Sequence, residues 1–129
     1  MNTKLIMISS SIILFGLGVV LTFTPDLRIG YLELSSSETS LLLLQIIGAL
    51  YFAFAMLNWM SKANLIGGIY NRPIIMANSS HFMIAGLSLI KGLFSELNLP
   101  SILWFLTIFY ILYSLIFGIL LFKHPIKDN

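Results

Sequence analysis

Apolar residues along this chain gather into four runs, at residues 5–23, 39–60, 74–94 and 101–122, and most of the charges lie between them. A helix rises about 1.5 Å per residue, so about 20 apolar residues cross a hydrocarbon layer about 30 Å thick. Each run reaches that length, and none carries the polar face that a soluble helix would show. The pattern predicts an all-α fold, a four-helix transmembrane bundle built as one integral-membrane domain over residues 1–129. The first run follows an early lysine, as in a signal peptide. It is longer than the usual apolar core of a signal, however, and no small-x-small cleavage site follows, so it reads as a retained span.

The connections differ in character. Thr24-Pro25-Asp26 suits a helix start, with Thr24 as N-cap and Pro25 at the first helical position. Beyond it, Leu27, Ile29, Tyr31, Leu32 and Leu34 alternate with charges, a pattern that fits a segment lying flat in the interface. Ser35-Ser36-Ser37-Glu38 opens the second span, with the glutamate near the positive end of the helix dipole. The stretch Leu65-Ile66-Gly67-Gly68-Ile69-Tyr70 is too apolar for a free loop and is expected to hug the membrane surface, with Trp59 and Tyr70 in an aromatic belt. Pro73 suits the first turn of the third helix. A tight turn from Gly92 to Pro100 joins the last two spans; Lys91 and Glu96 lie near it, where pairing is one reading and snorkelling of Lys91 to the interface the favoured one.

Charge orients the chain. Of its 7 Lys and Arg residues, Lys4, Lys62, Arg72, Lys123 and Lys127 flank one side and Arg28 and Lys91 the other. The basic side stays in the cytoplasm, which predicts both termini inside (N-in/C-in) and the loop bearing Asp26, Glu33 and Glu38 outside. Charged residues are only 9% of the chain and apolar ones 58%, against about 25% charged in an average soluble domain. The net charge of +2 forms no basic stripe, so nucleic acid is not an expected partner. The partners implied are the lipid bilayer and a homo-oligomer or another membrane protein.

Candidate chemistry lies in the polar residues inside the spans. At 100° per residue, Ile74, Ala77, Asn78, His81, Ala85 and Ser88 fall within about 60° of His81, a strip expected to face protein because unpaired polar groups in lipid are costly. Asn78 and His81 lie about 7 and about 12 Å above the inner boundary, and Asn58 about 5 Å above it. A hydrogen bond between Asn58 and Asn78 is the expectation from those depths. Helix pairing is the commoner use of such residues, at about 0.6 kcal/mol per contact. His81 is the leading ligand or proton candidate, because an ionisable group within the membrane is a functional hypothesis by default. Gln45 stands about 140° around the second helix from Asn58, so one straight face cannot present both to the third span. Gly16, Gly18, Gly48, Ala49, Ala53, Ala55 and the Ser114/Gly118 pair read as close-packing positions. Trp104, Phe105, Phe109, Tyr110, Tyr113 and Phe117 read as packing or lipid-facing rings.

Several activities are disfavoured. Quinone-linked thiol oxidoreductases need cysteine pairs, and the chain has 0 Cys. A haem cytochrome needs two histidines at matching depth, whereas His124 lies about 12 Å below His81. Small multidrug exchangers depend on a glutamate within a span, and membrane glutathione-handling enzymes on intramembrane arginines; neither is found in these runs. No His/Asp/Glu cluster suits zinc. Accordingly no catalytic residue, metal or cofactor is assigned.

The stretch Leu44-Gln45-Ile46-Ile47-Gly48-Ala49-Leu50 through Leu57-Asn58-Trp59-Met60-Ser61-Lys62 is followed by Arg72-Pro73 and by His81 in the third span. This layout, over residues 41–94, resembles small four-span bacterial inner-membrane proteins of the DoxX-like, domain-of-unknown-function type. The resemblance implies a four-helix bundle in a bacterial inner (plasma) membrane, a group sometimes linked to redox or quinone-associated complexes. It carries over no functional residue. Two functions remain open: a non-enzymatic accessory or oligomeric membrane subunit, and a small-molecule binder or transporter. The second would use a cytoplasm-facing site around Asn58, Asn78 and His81, with Asn71 and Arg72 at its mouth.

Overall fold

The computed structural model describes residues 2–24, 37–63, 71–95 and 100–122. Among them it forms four α-helices and no strand: α1 (Thr3–Phe23), α2 (Glu38–Ser61), α3 (Arg72–Ser95) and α4 (Ser101–Phe122). All four are long and apolar enough to cross a membrane, which makes this a multi-pass membrane protein. The interfacial stretch expected at 27–34, the apolar loop at 65–70, Glu96 and His124 lie outside the described residues.

Polar caps carry the helices a residue or two past the apolar runs. The Asn2 side chain accepts from the Leu5 N–H at 3.4 Å, and Ser37 Oγ from the Ser40 N–H at 3.1 Å. Ile75 N–H donates to the Asn71 carbonyl at 3.1 Å, so α3 begins at Arg72 with Pro73 in its first turn, where a missing N–H leaves nothing unsatisfied. At the end of α1, Thr24 donates twice to the Val20 carbonyl, from its N–H at 3.0 Å and its hydroxyl at 2.8 Å.

The chain divides into two compact units, Met1–Ala63 and Asn64–Asn129. Each is a pair of helices packed on one another, and the two are closed by different chemistry.

The N-terminal hairpin, α1 on α2, closes through small residues. Met7, Ser10, Ser11, Leu14 and Gly18 are the buried positions of α1; Leu44, Gly48, Ala55, Asn58 and Ser61 are those of α2. Ser11 meets Ala55 while Gly18 meets Gly48, so the helices run antiparallel. A Cβ at Gly18 would sit 2.8 Å from Phe52 N and 2.9 Å from the Gly48 carbonyl oxygen. Only glycine permits that approach of backbone to backbone. Gly16, by contrast, has open space around it, as does Gly118 in α4, so neither is a close-packing position within its own hairpin.

The C-terminal hairpin, α3 on α4, closes through rings. Phe82 is fully buried and stacks on Phe117 with centroids 5.5 Å apart and planes at 11°. Tyr110 and Phe109 meet it edge-on at 5.3 and 5.8 Å, and Tyr113 tilts over it at 5.3 Å. Gly86 lies in ordinary contact with Tyr110. Trp104 and Phe105 remain on the outer surface.

Candidate functional site

Polar side chains inside these helices first satisfy themselves locally. The hydroxyls of Ser61, Ser88, Ser95 and Thr107 each donate to the carbonyl four residues earlier, at 2.7, 2.9, 2.8 and 2.7 Å. Such back-bonding lets a hydroxyl sit in hydrocarbon without a partner on another helix. Asn78 does the same with its amide, donating to the Ile74 carbonyl at 2.9 Å.

Other contacts go further and tie one helix to the next. In the N-terminal hairpin the Ser11 hydroxyl donates to the Ala55 carbonyl at 2.7 Å, and the Asn58 amide donates to Ser10 Oγ at 3.1 Å. Ser10 in turn donates to the Met7 carbonyl at 3.1 Å. All of these side chains are buried, and in low dielectric a satisfied network of this kind fixes a unique packing. In the C-terminal hairpin, His81 Nε2 and the Tyr110 hydroxyl lie 3.2 Å apart, and the His81 ring also packs edge-on against Phe82 at 5.1 Å. Tyr110 is fully buried, while His81 is half-buried.

A groove of about 380 Å³ runs along the outside of the N-terminal hairpin, lined by Ser11, Ile12, Phe15, Phe52, Ala55, Met56 and Trp59. Its wall is almost wholly apolar, since the Ser11 hydroxyl is turned to Ala55. Beside its Trp59 end the Lys62 ammonium lies 3.0 Å above the indole ring, a cation–π contact at the end of α2. Among the described residues no group of three His, Cys, Asp or Glu side chains is arranged to hold a metal ion.

The strip expected around His81 is rotated from the face that packs. The buried positions of α3 are Ile75, Asn78, Ser79, Phe82, Gly86 and Leu93, a face centred near Phe82. Asn78 is buried on it, His81 lies at its edge and Ser88 is exposed. The reason is volume. Phe82 fills the space among four rings of α4, and Ser88 needs no protein partner because it bonds its own helix. Gln45 is exposed on its hairpin and makes no hydrogen bond among the described residues. Arg72 is exposed in the first turn of α3, next to the buried Asn71. Asn58 and Asn78 belong to different hairpins, each of which is described by itself.

Sequence reading passed over Ser10 and Ser11, although the run Ser9-Ser10-Ser11 in an apolar span was a visible signal for helix pairing. It placed Tyr110 only among the packing aromatics, because nothing in the spacing aligns it with His81 across two helices. Comparison with family models, with curated proteins and with solved structures finds no match for this chain.

Proposed function

We propose that this chain is a non-enzymatic membrane protein acting by association, as an accessory or oligomeric subunit. It is seated in a bacterial inner membrane with both termini in the cytoplasm, as the lysine and arginine bias favours. One observation carries the reading. The buried polar side chains of the N-terminal hairpin, Ser10, Ser11 and Asn58, are engaged in closing it, while large apolar side chains such as Leu42, Ile46, Met56, Ile84 and Leu115 face outward. Polar groups spent on helix contacts serve architecture, and a broad apolar exterior serves lipid and neighbouring spans. The DoxX-like layout of residues 41–94 agrees with this assignment and adds no active residue.

A second reading rests on His81, whose half-exposed ring beside the Tyr110 hydroxyl offers hydrogen-bonding groups to a small molecule entering the C-terminal hairpin. Purification in lipid nanodiscs followed by native mass spectrometry separates the two. The subunit reading expects the chain as a defined oligomer or in stoichiometric complex with another membrane protein. A monomer carrying one small molecule per chain, lost in His81→Phe, overturns it in favour of the second.

A further inference from the structure

His81 Nε2 on α3 and the Tyr110 hydroxyl on α4 lie 3.2 Å apart with ring centroids at 5.5 Å, so a hydrogen bond crosses the C-terminal hairpin from helix to helix. Tyr110 is fully buried, and its hydroxyl cannot turn to water. A phenol O–H is a more acidic donor than a neutral imidazole N–H, and a bare imidazole nitrogen is a better acceptor than a phenol oxygen. The bond therefore runs from Tyr110 to an Nε2 that carries no proton. Protonation of the ring removes that acceptor, because an imidazolium holds an N–H at both nitrogens. It also brings a charge into the span, and no carboxylate among the described residues lies at that depth to offset it. The 22 residues of α4 include no charged side chain; Tyr110 and Tyr113 are its titratable groups, and Tyr113 packs against Phe82 and Phe109. On α3 the charges are Arg72 and Lys91, about 14 and about 15 Å along the axis from His81 and of the same sign. Glu38 is the one acidic side chain among the described residues, and it opens α2 at an aqueous end, whereas His81 is about 14 Å or more from either end of α3. That difference holds however the two hairpins are arranged.

We propose that the His81–Tyr110 contact is a pH-sensitive latch: a neutral His81 ties α3 to α4, and uptake of one proton by its ring releases the tie and loosens the C-terminal hairpin. The device goes beyond either reading of the function and requires neither. Its sign follows from linkage. A ring freed from the hairpin takes up its proton in the ordinary imidazole range, near about pH 6.5, while the latched ring accepts the Tyr110 hydroxyl only without that proton. The opened state therefore binds more protons, and stability rises with pH. The latch is fully closed well above about pH 6.5 and is progressively lost as the pH falls below it. Phe82 and its ring neighbours hold the hairpin by apolar contact and do not titrate in this range, apart from tyrosines that stay protonated, so acid loosens the hairpin without emptying its core.

The full chain in a Trp59→Phe background leaves Trp104 of α4 to report on this hairpin. Unfolding by sodium dodecyl sulfate in mixed micelles is followed at about pH 8 and at about pH 5, where a free imidazole is almost wholly neutral and almost wholly protonated. The expected result is an unfolding equilibrium shifted toward the open state by about tenfold at the lower pH. His81→Gln keeps an acceptor for the Tyr110 hydroxyl but cannot titrate, and its midpoint should be the same at both values; His124 is present in both proteins and cancels. Tyr110→Phe should weaken the hairpin about fivefold at the higher pH and leave it unchanged at the lower, where the bond is already lost. The chain has 2 His, so nitrogen-15 labelling of histidine gives two ring signals, assigned by His81→Gln, and the His81 signal should show a bare Nε2 at the higher pH. That spectrum is read on the parent protein and does not depend on any variant folding. A proton on Nε2 at the higher pH overturns the bond direction and with it the latch. A pH response equal in the parent and in His81→Gln, or a cost of Tyr110→Phe that is the same at both values, overturns the proposal as well.

Discussion

Substituting Gly18 and Gly16 with alanine makes a matched pair, two residues apart on one helix. At Gly18 the new methyl carbon would lie 2.8 Å from Phe52 N, 2.9 Å from the Gly48 carbonyl oxygen and 3.2 Å from the Phe52 Cα. All three are backbone atoms that cannot rotate aside, so α1 and α2 must part. Overpacking of this kind costs about 1–3 kcal/mol. At Gly16 nothing lies within 4 Å, and only the helix propensity changes, in favour of alanine by about 1 kcal/mol. That propensity gain is common to both variants and cancels between them. The Gly18→Ala hairpin should therefore be less stable than the Gly16→Ala hairpin by about 1–3 kcal/mol, roughly 5- to 150-fold in the unfolding equilibrium. The chain has 2 Trp, one in each hairpin, so a Trp104→Phe background leaves Trp59 to report on the N-terminal hairpin alone. Titration with sodium dodecyl sulfate in mixed micelles, followed by Trp59 fluorescence, measures the difference. A Gly18→Ala midpoint equal to or above that of Gly16→Ala would refute the close crossing.

Two further outcomes follow from the helix ties. Ser11→Ala removes the donor to the Ala55 carbonyl and should cost about 0.6 kcal/mol, and no more than about 1.7, in the same titration, whereas Ser61→Ala, whose hydroxyl bonds its own helix, should cost less. Phe82→Ala empties the centre of the aromatic cluster and should destabilise the C-terminal hairpin by about 3–5 kcal/mol, read by Trp104 fluorescence in a Trp59→Phe background; the exposed Phe105→Ala serves as the neutral reference, and equal midpoints for the two would count against the cluster as the core.

The helices were legible because their signal is local: length and apolarity suffice, and the four runs match the helices to within one or two residues at each end. What the runs omit is supplied by caps such as Asn2 and Ser37, which are polar and so fall outside a hydropathy window. The packing faces were less legible. Small residues mark close approach only when they fall on the side that packs, and Gly16 and Gly18 are distinguished by rotation about the axis rather than by composition. In α3 the polar strip and the buried face differ by about one residue step, because ring volume at Phe82 outweighs the modest pairing value of a serine that can bond its own backbone. His81 stands out in the sequence as an ionisable group within a span, but its partner Tyr110 sits on another helix, and the sequence holds no record of which ring faces which.

The N-terminal hairpin is also sorted by charge along its length. Because α1 and α2 run antiparallel, Lys4 and Lys62 share one end, and Glu38 occupies the other. The 24 residues of α2 extend about 36 Å, some 6 Å more than the hydrocarbon they cross. At the lysine end, the Lys62 ammonium rests 3.0 Å above the Trp59 ring, a pair suited to the headgroup level and opposed to sliding inward. A surplus of that size is accommodated by tilt, by local thickening of the bilayer or by end residues standing in the headgroup layer, and with Lys62 held at its level the adjustment falls at the Glu38 end. The hairpin is moored to one leaflet and free to ride against the other.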